Sequence, residues 1–337
     1  MRKFLTLLVV AMAFTAVAGF ANAGERLKIG LALPTQQEER WVRDMQAMQE
    51  EAKKHNIDLR VSIARNDQGQ QNNQVEQLLS QGVKVLIIAP HDGEGAATSV
   101  DKAHQDGVKV ISYDRLIMGT DVDIYMSFDN VRVGELQGEW ITKRVPKGDY
   151  ILMSGAPTDN NAKMFKQGNM NILQPFIDRG DIKVILDQPV IDWQPANAQR
   201  IVENALTLAN NKVDAILAPN DGTASGAIAA LEPQGLAGKI PVTGMDAELA
   251  AAQRIVKGTQ SITVLKDTRK LGEEAIRIAI RMAKGENIAD ATKGQVVNND
   301  KMDVPSVLLE AQVVDKTNVD ALLIDSGYLK REDVYVN

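Results

Sequence analysis

The sequence contains no cysteine, and this absence excludes several kinds of chemistry. Without thiol groups the chain cannot hold thiolate metal sites or iron–sulfur clusters, and it has no cysteine nucleophile. It also has no disulfide bonds. At 337 residues it is long enough to bury cores that are stable without them, and its length predicts about two domains.

Histidine is scarce and positive charge is not in excess. The three histidines, His55, His91 and His104, are far apart in sequence and lack the spacing of metal ligands. The formal net charge of -6 disfavours a nucleic-acid partner, whose phosphates require a basic surface. We therefore expect the protein to bind neither a metal nor nucleic acid.

Long apolar runs are confined to the beginning of the chain. A positive start at Arg2 and Lys3 precedes the apolar segment 4–18, and Ala21-Asn22-Ala23 has the small-x-small form of a cleavage site. The run is short for a membrane anchor, and no cysteine follows it to carry a lipid. We predict a signal peptide over 1–23, cleaved after Ala23, and an exported, soluble mature protein.

The motifs of common nucleotide and cofactor sites are missing or incomplete. There is no Walker A sequence and no G-x-S-x-G elbow. Gly93 and Gly95 follow an apolar stretch as in a dinucleotide fingerprint, but Thr98 stands where the third glycine belongs. An exported protein is also separated from soluble cofactors that cells keep inside. We expect no cofactor.

What the sequence does contain is a regular alternation of strand and helix patterns from residue 27 onwards. Segment 83–90 is a continuous apolar run of the kind buried on both faces of a sheet, and 40–55 has apolar residues at helical spacing. The same alternation starts again at 131. We predict an α/β protein with two doubly wound, Rossmann-like parallel-sheet lobes.

The two halves are joined without a Gly/Ser-rich or Pro-rich linker. We predict that the chain crosses between lobes three times, near Ser127, Lys266 and Pro305, before a last strand-like run over 307–314. Three short crossings form a hinge, which permits closure around a ligand. The predicted limits are 24–127 plus 267–304 for the N-terminal lobe and 128–266 plus 305–337 for the C-terminal lobe.

Polar residues follow most of the predicted strands, and in a parallel sheet the carboxyl ends of the strands line the ligand crevice. Carboxylates and amides together with an arginine fork are suited to a neutral polyol. The candidates are Asp114 and Arg115 after strand 108–113, Asp159, Asn160 and Asn161 after 150–154, Trp193 after 182–190, Asn220 after 215–219, and Asp246 after 240–245.

Some of these candidates have ordinary structural explanations. Asp114 and Arg115 alone could be a surface ion pair. Asn220 or Asp221 could cap the helix that follows them; we assign the cap to Asp221 or Gly222 and expect Asn220 to face the crevice.

Tryptophan is scarce, with three residues in the chain. Trp41 and Trp193 fall at strand carboxyl ends, where a flat apolar ring can cover the C–H face of a sugar; ordinary packing is the alternative. Trp140 lies within a helical segment, and we expect it to pack. Lys266, at the end of strand 261–265, is either a solvated lysine or a hydroxyl donor.

Together these motifs resemble the periplasmic sugar-binding proteins of bacterial ABC importers, in the ribose/galactose-type group. The resemblance covers essentially the whole mature chain and implies the periplasmic binding protein type I fold, closing by a three-segment hinge on one pyranose. The motifs are Glu39-Arg40-Trp41, Tyr113-Asp114-Arg115, Ser127-Phe128-Asp129-Asn130, Asp159-Asn160-Asn161-Ala162-Lys163, Asn220-Asp221, Asp246, and Asp303-Val304-Pro305-Ser306.

The resemblance also implies a ligand shell, to which we add His91 and Asn160 as neighbours of the same strand ends. The implied residues are Arg40, Trp41, Asp114, Arg115, Asp159, Asn161, Trp193, Asn220, Asp246 and Lys266.

Partners follow from the same resemblance. The expected ligand is a monosaccharide, with D-xylose first and another pentose or glucose second, and the expected partner is an ABC permease in the membrane. We expect a periplasmic monomer that is not an enzyme. Two alternatives are a sugar sensor for a membrane kinase or chemoreceptor, and an exported sugar-processing enzyme, which would need two carboxylates across the scissile bond.

Overall fold

The computed structural model describes residues 26–336, so the predicted signal peptide over 1–23 lies outside the described residues. The first half alternates strand and helix up to the first crossing. Its elements are β1 (Lys28–Leu33), α1 (Glu39–Lys54), β2 (Asp58–Ile63), α2 (Gln68–Ser80), β3 (Val85–Ile88), α3 (Ala97–Gln105), β4 (Lys109–Tyr113) and β5 (Ile124–Phe128).

The second half repeats the alternation, and a C-terminal segment returns to the first half before it ends in the second. The second half contains α4 (Asn130–Arg144), β6 (Gly148–Ser154), α5 (Asn160–Asp178), β7 (Ile182–Pro189), α6 (Pro195–Leu208), β8 (Ala215–Leu217), α7 (Asp221–Leu231), α8 (Leu249–Lys257) and β9 (Ile262–Leu265). The C-terminal segment contains α9 (Thr268–Ala283), α10 (Ala289–Thr292), β10 (Val296–Asn298), β11 (Asp303–Leu309), β12 (Gln312–Asp315) and α11 (Arg331–Val334).

The strands form separate sheets in the two lobes, as predicted. The first lobe has seven strands in the order β10-β11-β5-β4-β3-β1-β2, all parallel except the β10–β11 pair. The second lobe has the parallel order β7-β6-β8 and a separate antiparallel pair, β12–β9. Buried clusters cover both faces of the first sheet, with α1 and α9 on one side and α2 and α3 on the other.

Two details of the prediction are corrected by the strand pairing. β11 stays in the first sheet up to Leu309, which pairs with Phe128, so the third passage between sheets lies after Leu309 and not at Pro305. The predicted run 307–314 is thus two strands that belong to different sheets. Segment 240–245 is not a strand; Val242 alone forms an isolated bridge, with Ile216. The remaining lobe limits stay a prediction.

Helices α4 and α5 of the second lobe cross at unusually short range because glycines face each other at the crossing. A Cβ atom at Gly134 would lie 2.0 Å from the Phe165 carbonyl oxygen, and one at Gly168 would lie 1.9 Å from that of Val131. Both contacts are with backbone, so neither can be relieved by a side-chain rotation. This close crossing fixes the start of α5, which carries part of the site described below. Over residues 26–336, none of the helices has the length and apolar character to cross a bilayer.

Candidate ligand-binding site

A cavity lies between the two lobes, and ten of the twelve predicted site residues line it. Three further residues complete the lining. The full set is Glu38, Arg40, Trp41, Asp114, Arg115, Asp159, Asn161, Phe165, Trp193, Asn220, Met245, Asp246 and Lys266.

Asp114 is the central residue on the N-terminal side of the cavity. Its φ of 57° places it in the left-handed region directly after β4, a conformation that Asp tolerates better than most residues. The turn directs its carbonyl oxygen back towards β5, where it accepts hydrogen bonds from Tyr125 Oη (2.9 Å) and Ser127 Oγ (2.7 Å). Asn161 Nδ2, from the other lobe, donates to the same oxygen at 3.0 Å.

Two cations hold the Asp114 carboxylate. Arg40 Nη1 lies 2.7 Å from Asp114 Oδ2, and Lys266 Nζ lies 3.4 Å from the same atom. Burial alone would favour the neutral acid, but Arg40 and Lys266 outweigh it and lower the pKa of Asp114 to about 2. The carboxylate is therefore ionised at neutral pH and can accept hydrogen bonds from a ligand.

Arg40 is in turn fixed from behind by a buried pair. Its Nε lies 3.1 Å from Asp44 Oδ2, one helical turn along α1, and Tyr113 Oη hydrogen-bonds Asp44 Oδ1. Asp44 is fully buried, which raises its pKa to about 6 although Arg40 opposes the shift. These contacts orient the guanidinium towards the cavity.

A second ion pair bridges the lobes. Arg115 Nε lies 2.9 Å from Asp159 Oδ2, and both side chains are buried. Asp159 also caps α5, because its Oδ1 accepts from the Asn161 backbone N–H at 2.9 Å. Burial raises the pKa of Asp159 while Arg115 lowers it. The pair joins the end of β4 to the start of α5 across the cleft.

Trp193 supplies the aromatic wall of the C-terminal side. It follows β7 in the short turn Ile191–Trp193 with a φ of 57°. Its ring meets Phe165 edge-on at 6.4 Å and lies against Gly155, where a Cβ atom would be only 2.0 Å from the indole. The buried Trp193 Nε1 has no hydrogen-bond partner among the described residues. A buried donor of this kind is suited to a ligand oxygen.

Asp246 and Asn220 complete this side. Asp246 has a φ of 93°, and its Oδ1 lies 3.5 Å from Lys266 Nζ yet accepts no hydrogen bond from the described residues. Asn220 caps α7, since its Oδ1 accepts from the Thr223 N–H at 2.9 Å. The predicted cap at Asp221 or Gly222 is therefore wrong. Asn220 nevertheless lines the cavity as expected, so one residue serves both purposes.

Two predicted residues are not part of the cavity lining. His91 is partly buried after β3, and its backbone N–H donates to Gln71 at 3.0 Å. Burial and then Arg115 lower the pKa of the His91 imidazole. Asn160 lies in a different groove, with Met164 and Gln167. Successive helical residues point in directions about 100° apart, and in α5 this directs Asn160 to the groove while Asn161 lines the cavity.

Three lining residues were not predicted from the sequence. Glu38 precedes the Glu39-Arg40-Trp41 motif, and Met245 precedes Asp246, so neither is a polar residue that directly follows a predicted strand. Phe165 lies four residues after Asn161 on the same face of α5, and helical spacing from Asn161 could have found it. Trp140 lies outside the cavity, where its Nε1 donates to Asp315 at 3.3 Å, as expected of a packing residue.

A cleft of this kind, enclosed by two parallel-sheet lobes and lined by ion pairs and indole rings, defines a ligand-binding protein of the two-lobed, hinged class. Within residues 26–336, no three His, Asp or Glu side chains are grouped to hold a metal ion. Residues 29–287 match the family described as periplasmic binding protein domain. The chain belongs to this family of binding proteins, and it is therefore not an enzyme.

Individual relatives extend the comparison. The chain is 42% identical to the D-xylose-binding periplasmic protein of Escherichia coli (strain K12), covering 99% of both chains. It is 34% identical to the multiple sugar-binding periplasmic receptor ChvE of Rhizobium radiobacter, covering 93% of this chain and 94% of the relative. A carbohydrate transporter solute binding protein from Chloroflexus aurantiacus, solved with D-glucose, has a TM-score of 0.84 at 35% identity, over 92% of this chain and 98% of that one.

Proposed function

We propose that this protein captures a monosaccharide in the interlobe cavity and delivers it to an ABC importer, and that D-xylose is its ligand. The observation that carries the proposal is the lining of the cavity. It combines carboxylates, fixed cations and an indole ring, and two of its buried polar atoms, Trp193 Nε1 and Asp246 Oδ1, make no hydrogen bond with any described residue. A pyranose presents its hydroxyls to the carboxylates and cations, and it presents a C–H face to the indole ring.

Discrimination follows from the same atoms. Each buried donor or acceptor that a sugar hydroxyl satisfies becomes a penalty when that hydroxyl is missing or inverted. D-xylose is placed first because of the relative at 42% identity that is named for it, and D-glucose second because of the glucose-bound structure at 35% identity. The periplasm is the proposed location.

A thermal-shift panel of pentoses and hexoses tests the ligand. Binding to the folded state alone stabilises it by about 2.7 kcal/mol at a hundredfold excess over Kd. D-xylose should therefore give the largest rise in melting temperature. No rise with any sugar of the panel would overturn sugar capture, whereas a larger rise with D-glucose would overturn D-xylose alone.

Delivery and sensing are separated by a second experiment. The relative named as a receptor, at 34% identity, favours sensing as the second candidate function. Sugar-loaded protein should stimulate ATP hydrolysis by the cognate permease in proteoliposomes if it delivers sugar. Capture of a membrane kinase or chemoreceptor in place of a permease would favour sensing.

A further inference from the structure

One carboxylate of the cavity differs from the others in how it is paired. Asp114, Asp159 and Asp246 each lie within 4.0 Å of a cationic side chain of the cavity. Glu38 lines the same cavity and forms no ion pair with any described residue. Pairing with a cation explains why the three aspartates are present in the cavity, but it does not explain the presence of Glu38.

Glu38 is nevertheless buried and fixed. It is 7% exposed, and its Oε2 accepts a hydrogen bond from Trp41 Nε1 at 3.0 Å. It precedes α1 at the N-cap position, but its side chain does not cap the helix. The carboxylate is turned towards the indole and the cavity, so it does not satisfy the N–H groups of its own helix.

No other described residue donates a hydrogen bond to the second oxygen of Glu38, Oε1. A carboxylate in a largely buried side chain keeps little of its hydration, and a hydrogen bond from a ligand compensates for that loss. Burial accordingly raises the pKa of Glu38, although Arg115 opposes the rise. A hydroxyl of a bound ligand would supply the donor that the surrounding protein groups do not provide to Glu38 Oε1.

We infer that Glu38 is a specificity-determining residue, whose Oε1 accepts a hydrogen bond from one hydroxyl of the bound sugar while Oε2 holds the Trp41 ring. The inference rests on the proposed function, because it takes a sugar as the ligand. It adds a further acceptor to the site on the side of Trp41. A sugar without a hydroxyl at that place loses a bond to a buried charged group.

Glu38→Gln provides the test. The amide oxygen can still accept from Trp41 Nε1, but an NH₂ group then replaces the acceptor that faces the sugar. The control is Glu50→Gln, which changes an exposed carboxylate on the same helix. Affinities are measured by titration calorimetry for D-xylose, D-glucose and the monodeoxy analogues of each.

The expected result is selective. Glu38→Gln should bind the full sugar about 10- to 100-fold more weakly, the range for a hydrogen bond to a charged group. One deoxy analogue, which lacks the hydroxyl that contacts Glu38, should bind wild type and Glu38→Gln equally. Glu50→Gln should match wild type throughout.

Two outcomes would overturn the inference. Unchanged affinities would mean that Glu38 does not contact the sugar. An equal loss for every analogue would mean that it only positions Trp41. Failure of the proposed function is a different result, since wild type would then bind none of the sugars.

Discussion

Most polar side chains of the cavity are already engaged by other protein groups, and this governs how the site works at the scale of residues. Asp114 is held by Arg40 and Lys266, and Asp159 by Arg115. The Arg40–Asp114 pair lies within one lobe, so it keeps the Asp114 carboxylate ionised and removes the freedom of the Arg40 side chain before a ligand arrives. Binding then costs less conformational entropy.

Gly155 is expected to be as important to binding as the residues that contact the ligand. Gly155→Ala would place a methyl group about 2 Å from the indole of Trp193 and displace the ring. We expect a loss of sugar affinity of at least about tenfold, with a stability cost of about 1–3 kcal/mol for overpacking. Calorimetry and urea unfolding measure the two effects.

Gly222→Ala is the matched control for this prediction. Gly222 is also near the cavity, but its nearest neighbour, Asn220, would be 3.7 Å from the new Cβ atom, which is ordinary contact. It should bind sugar as wild type does. Equal affinities for Gly155→Ala and Gly222→Ala would show that the position of the Trp193 ring is unimportant.

At the scale of elements, the sequence predicted the order of strands and helices well because alternating apolar patterns report local burial. Segment 240–245 was the exception: it is apolar enough for a strand, yet only Val242 reaches a neighbour. The break after Leu309 was also missed, since membership of one sheet or another depends on distant pairing that periodicity does not contain.

The site was predictable to the extent that it uses strand ends. Asp114 and Trp193 follow directly from the rule that ligands bind at the carboxyl ends of parallel strands, whereas Asp246 lines the cavity although segment 240–245 before it is not a strand. Glu38 does not, because nothing in its local sequence distinguishes a cavity carboxylate from a helix cap. The outward position of Asn160 is likewise set by the exact residue at which α5 begins, which sequence patterns locate only to within a few residues.

Two helices exchange N-terminal contacts across the cleft. The Leu249 N–H at the start of α8 donates to Glu39 Oε2 at 2.9 Å, and the Glu39 N–H at the start of α1 lies 3.4 Å from Glu248 Oε1. Each helix is thus capped by a carboxylate of the other lobe. The arrangement stabilises lobe contact but brings Glu39 and Glu248 together, and like charges repel.

This exchange predicts that sugar affinity falls as pH rises. Burial, then Asp221, Asp246 and Glu39, raise the pKa of Glu248 to about 8, and Glu39 contributes only when the lobes meet. The closed form therefore binds more protons than an open one at pH values between the two pKa values, so closure weakens as the pH rises towards about 8 and does not change further above it. Burial also raises the pKa of Asp221 to about 7, with Arg254 opposing, but these two residues stay together in one lobe.

The test is to measure the affinity for D-xylose by titration calorimetry at several pH values between about pH 6 and 9. Each unit of pKa difference between the open and closed forms changes affinity by about tenfold. Glu248→Gln keeps the acceptor for the Glu39 N–H and should abolish the dependence, while Glu50→Gln should retain it. Identical pH profiles for wild type and Glu248→Gln would exclude Glu248 as the titrating group.

For the whole molecule, the three connections between lobes mean that neither lobe is a continuous stretch of sequence. The N-terminal lobe needs α9 and β11 from the C-terminal third of the chain, and β12 returns to pair with β9 in the other lobe. We expect the connections to act as a hinge with a restricted path, so that contacts such as Arg115–Asp159 form only when the lobes meet.

Sugar is therefore expected to compact the molecule. Contacts available only in the closed form let a ligand shift the population towards closure. Small-angle scattering should show a smaller radius of gyration in saturating D-xylose than without sugar. Trp193→Ala, at the same sugar concentration, should remain at the sugar-free value. An unchanged radius in wild type that binds sugar would exclude hinge closure.

The ion pairs of the cavity also constrain how the site can evolve. Replacing Asp159 alone leaves the buried Arg115 without its ion-pair partner among the described residues, so a new sugar preference at this position requires two coordinated substitutions. Glu38 has no such partner among the described residues. We therefore expect changes of sugar preference during evolution to begin at position 38, where a single substitution leaves no buried charge without a partner.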